Sequence, residues 1–158
     1  MKQYKLLFLF FIVLGMSSCL KNEFEELEQQ EAQARKEYIE ENDISTTPTA
    51  SGLYYIEQIL GTGAQAKSGD IVQVHYTGYL LDGTKFDSSY DRNEALEFTL
   101  GIGQVIAGWD EGIAYMREGG EARLIIPSHL AYGTTGASSA IPAYSTIIFD
   151  VKLISIVD

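Results

Sequence analysis

Apolar and polar positions alternate most clearly between Ile71 and Leu80, where Val72, Val74 and Tyr76 fall on one face of an extended segment. Leu96-Glu97-Phe98-Thr99-Leu100 alternates again, and Leu53 to Leu60, Glu121 to Ile126 and Thr146 to Ile156 are rich in β-forming residues. Turn residues separate these runs: Gly61-Thr62-Gly63, Lys67-Ser68-Gly69-Asp70, and Leu81-Asp82-Gly83-Thr84, whose Asp-Gly pair tolerates the positive φ of a hairpin. The period changes once. After Gly108, Trp109, Ile113 and Met116 recur at helical spacing, with Asp110 and Glu111 where a helix N-terminus favours acids and Gly119-Gly120 as the stop. A long loop, Pro127 to Ser145, precedes the last strand. The pattern predicts an α+β fold in which five to six antiparallel strands wrap over one short helix and bury its apolar face.

Upstream of Gly52 the pattern is different. Between Lys21 and Asp43 there are nine acids against three bases, and Phe24, Leu27, Tyr38 and Ile39 are too sparse for a continuous apolar stripe. This predicts a solvated acidic spacer over residues 19–51, helical or disordered, with Ser45 to Ser51 as a polar stop. A short dimerising helix is the alternative. Residues 1–18 are different again. Lys2 and Lys5 precede an apolar run of eleven residues, Leu6 to Met16, which is too short for an ordinary membrane span. Ser17-Ser18-Cys19 follows. The arrangement resembles a bacterial lipoprotein signal, with cleavage before Cys19 and lipid on its sulfur, although Met16 departs from the commonest form. An ordinary secretory signal with a spare cysteine is the alternative. The lipoprotein resemblance implies a membrane partner through the lipid anchor and a place in the cell envelope, at the periplasmic side of an outer membrane. The acidic residues just after Cys19 leave surface display as a second placement.

Charge narrows the function. The 158 residues carry a net charge of −11, which excludes the basic surface that nucleic acid requires. Loss of Lys2 and Lys5 with the leader leaves 9 bases against 22 acids, or −13. Two histidines, His75 and His129, and one cysteine offer no metal set, and no cofactor is expected. No Gly-x-Ser-x-Gly elbow occurs, and Gly101-Ile102-Gly103 lacks the third glycine of a dinucleotide loop, so it reads as a turn.

What remains is aromatic. Val74-His75-Tyr76-Thr77-Gly78, Gly83-Thr84-Lys85-Phe86-Asp87-Ser88-Ser89 and Val105-Ile106-Ala107-Gly108-Trp109-Asp110-Glu111-Gly112 set aromatic and branched side chains beside turn glycines, with little acid–base chemistry nearby. That is the composition of a dry, rigid pocket. From about Gly52 to the C-terminus (52–158), these segments and Ala131-Tyr132-Gly133 resemble the FKBP-type peptidyl-prolyl cis/trans isomerases. The resemblance implies that Trp109 floors a proline pocket walled by Tyr76, Phe86, Phe98 and Phe149, with Val105 and Ile106 along one side. It implies that the Ile106 N–H and the Tyr132 hydroxyl each bond a substrate carbonyl, and that Asp87 accepts from Tyr76 rather than acting as a base. Arg92 resembles a structural partner of that carboxylate, and Ile141 belongs to the covering loop. Leu96 stands where well-studied members have an aromatic wall, and Ala137-Ser138-Ser139-Ala140 replaces bulkier residues, so a more open site is expected.

The implied partners are proline-containing unfolded or exported polypeptides, and macrolides as pocket ligands. Three functions compete. The first is an anchored isomerase that assists folding of envelope proteins. The second is a module that holds a proline-containing segment of a complex. The third is a holdase chaperone, which the absence of an insertion in Leu81–Thr84 or Pro127–Ser145 disfavours.

Overall fold

The computed structural model describes residues 4–157, with side chains from Glu23 onward. The predicted leader 1–18 and the side chain of Cys19 lie outside the described side chains. The elements in chain order are α1 (Tyr4–Glu41), β1 (Tyr54–Ile59), β2 (Ile71–Leu80), β3 (Lys85–Ser88), β4 (Leu96–Thr99), α2 (Ala107–Ala114), β5 (Glu121–Ile126), a single 3-10 turn at Ser128–Leu130, and β6 (Ile147–Val157). Six strands form one antiparallel sheet in the order β1-β5-β6-β2-β3, with β4 also paired to β2.

The longest pairing, β2 with β6, sets the frame. Its register puts Tyr76 opposite Val151 and Gly78 opposite Phe149. Alternation along β2 sends Val72, Val74, Tyr76 and Gly78 inward, as the sequence pattern predicts. On β6 the same face carries Ile147, Phe149, Val151 and Leu153, all buried. Helix α2 lies on this face and buries Trp109 and Ile113, with Met116 just beyond its end. Close approach requires two glycines. A Cβ on Gly108 would stand 2.4 Å from Cγ2 of Ile126, and one on Gly112 would stand 2.8 Å from Cδ2 of Leu124. With bare backbone at both positions the helix presses directly onto β5.

The predicted spacer is helical through Glu41, and its helix is not solvated all round. Glu31, Arg35, Tyr38 and Ile39 are partly buried at i, i+4, i+7 and i+8, which is one helical stripe. The sheet's outer face meets that stripe. Ile125 and Ile148 are register partners with almost no exposure, yet they stand apart from the main core cluster. Tyr38 lines one groove with Ile148 and Arg123, and the Arg123 guanidinium is paired in two bonds, 2.7 and 2.8 Å, with Asp150. The polar stop is also tied down. Ser51 donates to Glu111 Oε2 at 2.6 Å, and His129 Nε2 lies 2.9 Å from the Ser51 carbonyl.

Candidate active site

One cavity of about 620 Å³ opens between α2 and the inner face of the sheet, a size ordinary for a small-ligand site. Trp109 forms its floor. The indole stands edge-on to Tyr76 (centroids 5.0 Å, 78°) and to Phe149 (5.0 Å, 82°), and Tyr76 stands edge-on to Phe149 (5.8 Å, 69°). Such T-shaped contacts put positive ring edges on negative faces, so the three rings fix one another. Phe86 continues the wall, perpendicular to Phe149 at 5.5 Å. It reaches there because Gly78 has no side chain: a Cβ at that point would lie 2.6 Å from the Phe86 ring and 2.8 Å from Phe149.

Of the residues expected in the pocket, Tyr76, Phe86, Asp87, Val105, Ile106, Trp109, Tyr132, Ile141 and Phe149 line this one cavity. Phe98 does not reach the lining. It packs behind Trp109, tilted at 5.9 Å, and supports the floor. Leu96, Gly103, Gln104, Ala137, Ser138 and Ala140 complete the rim. Gln104 carried no sequence signal of its own. Its side-chain carbonyl accepts the Thr99 N–H at 2.7 Å and so braces the turn before α2. That turn, Gly101 to Gly103, is also held by Asp110, whose carboxylate accepts from Gly101 N–H at 2.8 Å and Gly103 N–H at 2.9 Å.

The polar side of the cavity is a three-residue network. Tyr76 donates its hydroxyl to Asp87 Oδ2 at 2.6 Å. Arg92 donates to the Tyr76 hydroxyl oxygen at 2.8 Å and pairs with Asp87 Oδ1. The Ser88 N–H donates to Asp87 Oδ1 at 2.8 Å. Burial alone pushes the Asp87 carboxyl up, but the bonds from Tyr76 and Arg92, the guanidinium charge and the Ser88 N–H together hold it below the usual carboxylate range. Burial, then the bond to Asp87, pushes the Tyr76 phenol up, so it stays a donor at neutral pH. Asp87 is thus an ionised, satisfied carboxylate that orients a ring, not a base waiting for a proton.

Two donors remain for a ligand. Ile106 is the extended residue before α2 (φ −60°, ψ 148°), and its carbonyl accepts from Trp109 and Asp110 N–H. Its own N–H meets no protein acceptor among the described residues. Tyr132 stands part-exposed at the mouth, its phenol pushed up by burial and then by the Asp87 charge. Trp109 Nε1, unlike these two, is fully buried, and it has no partner among the described residues. The histidines stand elsewhere: His75 stacks on Tyr90 at 4.5 Å outside the cavity, and His129 holds the Ser51 carbonyl. Among the described residues no group of three or more His, Cys, Asp or Glu side chains could hold a metal ion.

Comparison with known proteins agrees with this geometry. Residues 62–154 match the family model described as FKBP-type peptidyl-prolyl cis-trans isomerase. An FK506-binding protein of Neisseria meningitidis serogroup C is 54% identical over 94 residues, covering 60% of this chain and 86% of that protein. The crystal structure of AtFKBP13 superposes with a TM-score of 0.67 at 40% identity, over 70% of this chain and 97% of that one. The crystal structure of FkpA from Escherichia coli superposes with a TM-score of 0.74 at 35% identity, over 99% of this chain and 73% of that one. A cavity floored by Trp109, an oriented Tyr76–Asp87 pair and a family match that takes in strands β2 to β5, helix α2 and most of β6 lead to one conclusion: the chain belongs to the FKBP-type peptidyl-prolyl cis-trans isomerases.

Proposed function

We propose that the protein isomerises X-Pro bonds in exported polypeptides from a lipid-tethered position at the cell envelope, with Cys19 as the anchor. The observation that carries the chemistry is the aromatic cavity over Trp109. Rotation about an imide bond has a barrier of about 18–20 kcal/mol because the planar form is resonance-stabilised. In the twisted transition state that resonance is lost and the carbonyl is less dipolar. A rigid apolar wall around the prolyl ring disfavours the planar, more dipolar form relative to the twisted one. The Ile106 N–H holds the chain on one side of the proline, and the Tyr132 hydroxyl offers a second donor at the mouth. Asp87 and Arg92 fix the Tyr76 ring so that the wall does not move when the substrate does. No proton is transferred and no covalent intermediate is needed.

Location rests on the leader pattern: two lysines, an eleven-residue apolar run, then Ser17-Ser18-Cys19. Folding in an envelope meets uncatalysed X-Pro isomerisation that takes tens to hundreds of seconds. A tethered catalyst suits that need, and macrolides of the FK506 class are the small-molecule ligands expected in the same cavity. The test has two parts. Exchange of short X-Pro peptides is measured with wild-type protein, Asp87→Ala and Phe98→Ala. Catalysis that falls in folded variants supports the pocket, and a folded wild type without catalysis overturns it in favour of a proline-binding module. Lipid labelling and membrane fractionation of wild type and Cys19→Ala then test the anchor, which fails if the variant fractionates and labels like wild type.

A further inference from the structure

Helix α1 reaches the loop over the cavity through one carboxylate. The Glu31 side chain is only 7% exposed. Its Oε1 accepts the Ser128 N–H at 2.7 Å, the Thr146 hydroxyl at 2.7 Å and Arg35 Nη1 at 3.2 Å, and its Oε2 accepts the Ser128 hydroxyl at 2.5 Å. Arg35 also donates to the Thr146 Oγ1 at 3.0 Å. Ser128 and Thr146 are themselves buried, and they stand at the two ends of the loop that carries Tyr132 and Ile141. One side chain from outside the domain therefore holds both ends of the segment that closes the pocket.

The hold is relayed inward. The Gly133 N–H donates to the Ser128 carbonyl at 2.8 Å, and the Tyr144 N–H donates to the Gly133 carbonyl at 2.9 Å. Tyr132 is the neighbour of Gly133, and Ala137 and Ile141 exchange a pair of backbone bonds further along. Phe24 adds a second contact from α1, against the Tyr144 ring at 6.5 Å. A buried carboxylate that lost these donors would be left uncompensated, which is costly, so helix and loop ends move together or not at all.

We infer that Glu31 is a positioning residue for the isomerase pocket: it clasps Ser128 and Thr146, sets where Tyr132 and Ile141 stand at the mouth, and so tunes which residues flanking proline are accepted. The inference rests on the isomerase reading of the cavity. Coupling of this kind is reciprocal, so a ligand that shifts the loop also shifts the docking of α1.

The test uses the full chain with Glu31→Ala, Glu31→Gln and Ser128→Ala, a set of peptides that differ in the residue before proline, and amide hydrogen exchange followed along the chain. With Glu31→Ala, kcat/KM is expected to fall about threefold to tenfold and unequally, so that the order of peptide preference changes. Exchange is expected to quicken between residues 130 and 145 while β2 and β6 keep their protection. Glu31→Gln retains one acceptor oxygen and is expected to fall between; Ser128→Ala, which keeps its N–H, is expected to show a smaller change in the same direction. A uniform loss across all peptides, or unchanged preference with unchanged loop exchange in folded variants, overturns the inference. If Glu31→Ala does not fold, the other two variants decide. If the wild type does not isomerise any peptide, the isomerase reading fails, and loop exchange alone decides whether Glu31 clasps the loop.

Discussion

The Tyr76 hydroxyl donates to Asp87 Oδ2 at 2.6 Å while Arg92 donates to the same hydroxyl oxygen at 2.8 Å, so one phenol is held from both sides. The ring is the wall that meets Trp109 edge-on, and its position is therefore set by the polar atoms along one side of the cavity. Asp87→Ala removes one hold and frees the ring. We expect a loss of roughly tenfold in kcat/KM, since small misplacement of a positioning group costs this much or more. The fold is expected to persist because Asp87 is part-exposed and contributes nothing to the core cluster. Circular dichroism beside a peptide exchange assay checks both halves.

The same network gives a pH dependence with a fixed sign. The Asp87 carboxyl is held below its ordinary value, so its contribution is fully present above the usual carboxylate range and is lost as pH falls through the lowered value. Activity should stay flat from neutrality down to about pH 4, the ordinary aspartate range, and decline only below it. Arg92→Leu removes two of the influences that lower the carboxyl and leaves burial, which raises it. The acid limb of the pH–rate profile should move to higher pH in that variant. A limb at the same pH would mean that Tyr76 and Ser88 alone hold the carboxylate.

Packing of α2 on β5 supplies a stability test. Ala is favoured over Gly by about 1 kcal/mol in a helix interior, so Gly108→Ala looks stabilising from propensity alone. The added Cβ would sit 2.4 Å from Ile126 Cγ2, well inside a normal contact of about 3.5–4.0 Å, and Ile126 is fully buried with no room to retreat. Overpacking of this kind costs typically 1–3 kcal/mol, which exceeds the propensity gain. We expect a lower Tm and a displaced Trp109, read by thermal melting and by indole fluorescence.

Much of this architecture is legible in the chain because one face of the sheet obeys alternation. Val72, Val74 and Tyr76 announce β2, and the change of period at Trp109, Ile113 and Met116 announces α2. Tyr76, Phe86, Asp87, Trp109 and Phe149 come together through strand register and the seat of the short helix, whereas Tyr132 and Ile141 arrive from the loop before β6. Docking of α1 is where the pattern misleads. Glu31 and Arg35 interrupt the stripe that Tyr38 and Ile39 begin, so a helix held by a buried carboxylate reads as a solvated one. A signal exists on the other partner. Leu124-Ile125-Ile126 and Ile147-Ile148-Phe149 are unbroken apolar runs, as expected where a sheet is covered on both faces. Ile125 and Ile148 are the residues on the second face, and something must cover them. The placement of Phe98 behind Trp109 instead of in the cavity carried no sequence signal, because both positions bury an aromatic on the same strand face.

Leu96 gives the last prediction. It lines the cavity beside Gln104 and Val105 and remains 36% exposed, so the rim on that side is low and open. A tyrosine there would add a rigid aromatic surface next to the prolyl position at little entropic cost. An aromatic contact contributes about 0.5–1.5 kcal/mol beyond its buried area, and about 1.4 kcal/mol is tenfold in affinity. Leu96→Tyr should therefore tighten binding of an FK506-class macrolide by roughly threefold to tenfold, read from quenching of Trp109, the chain's one tryptophan. Peptide turnover should change less than macrolide affinity, because a wall that contacts ground state and transition state equally lowers both together. Equal tightening of the macrolide and acceleration of every peptide would instead place Leu96 against the twisting imide itself.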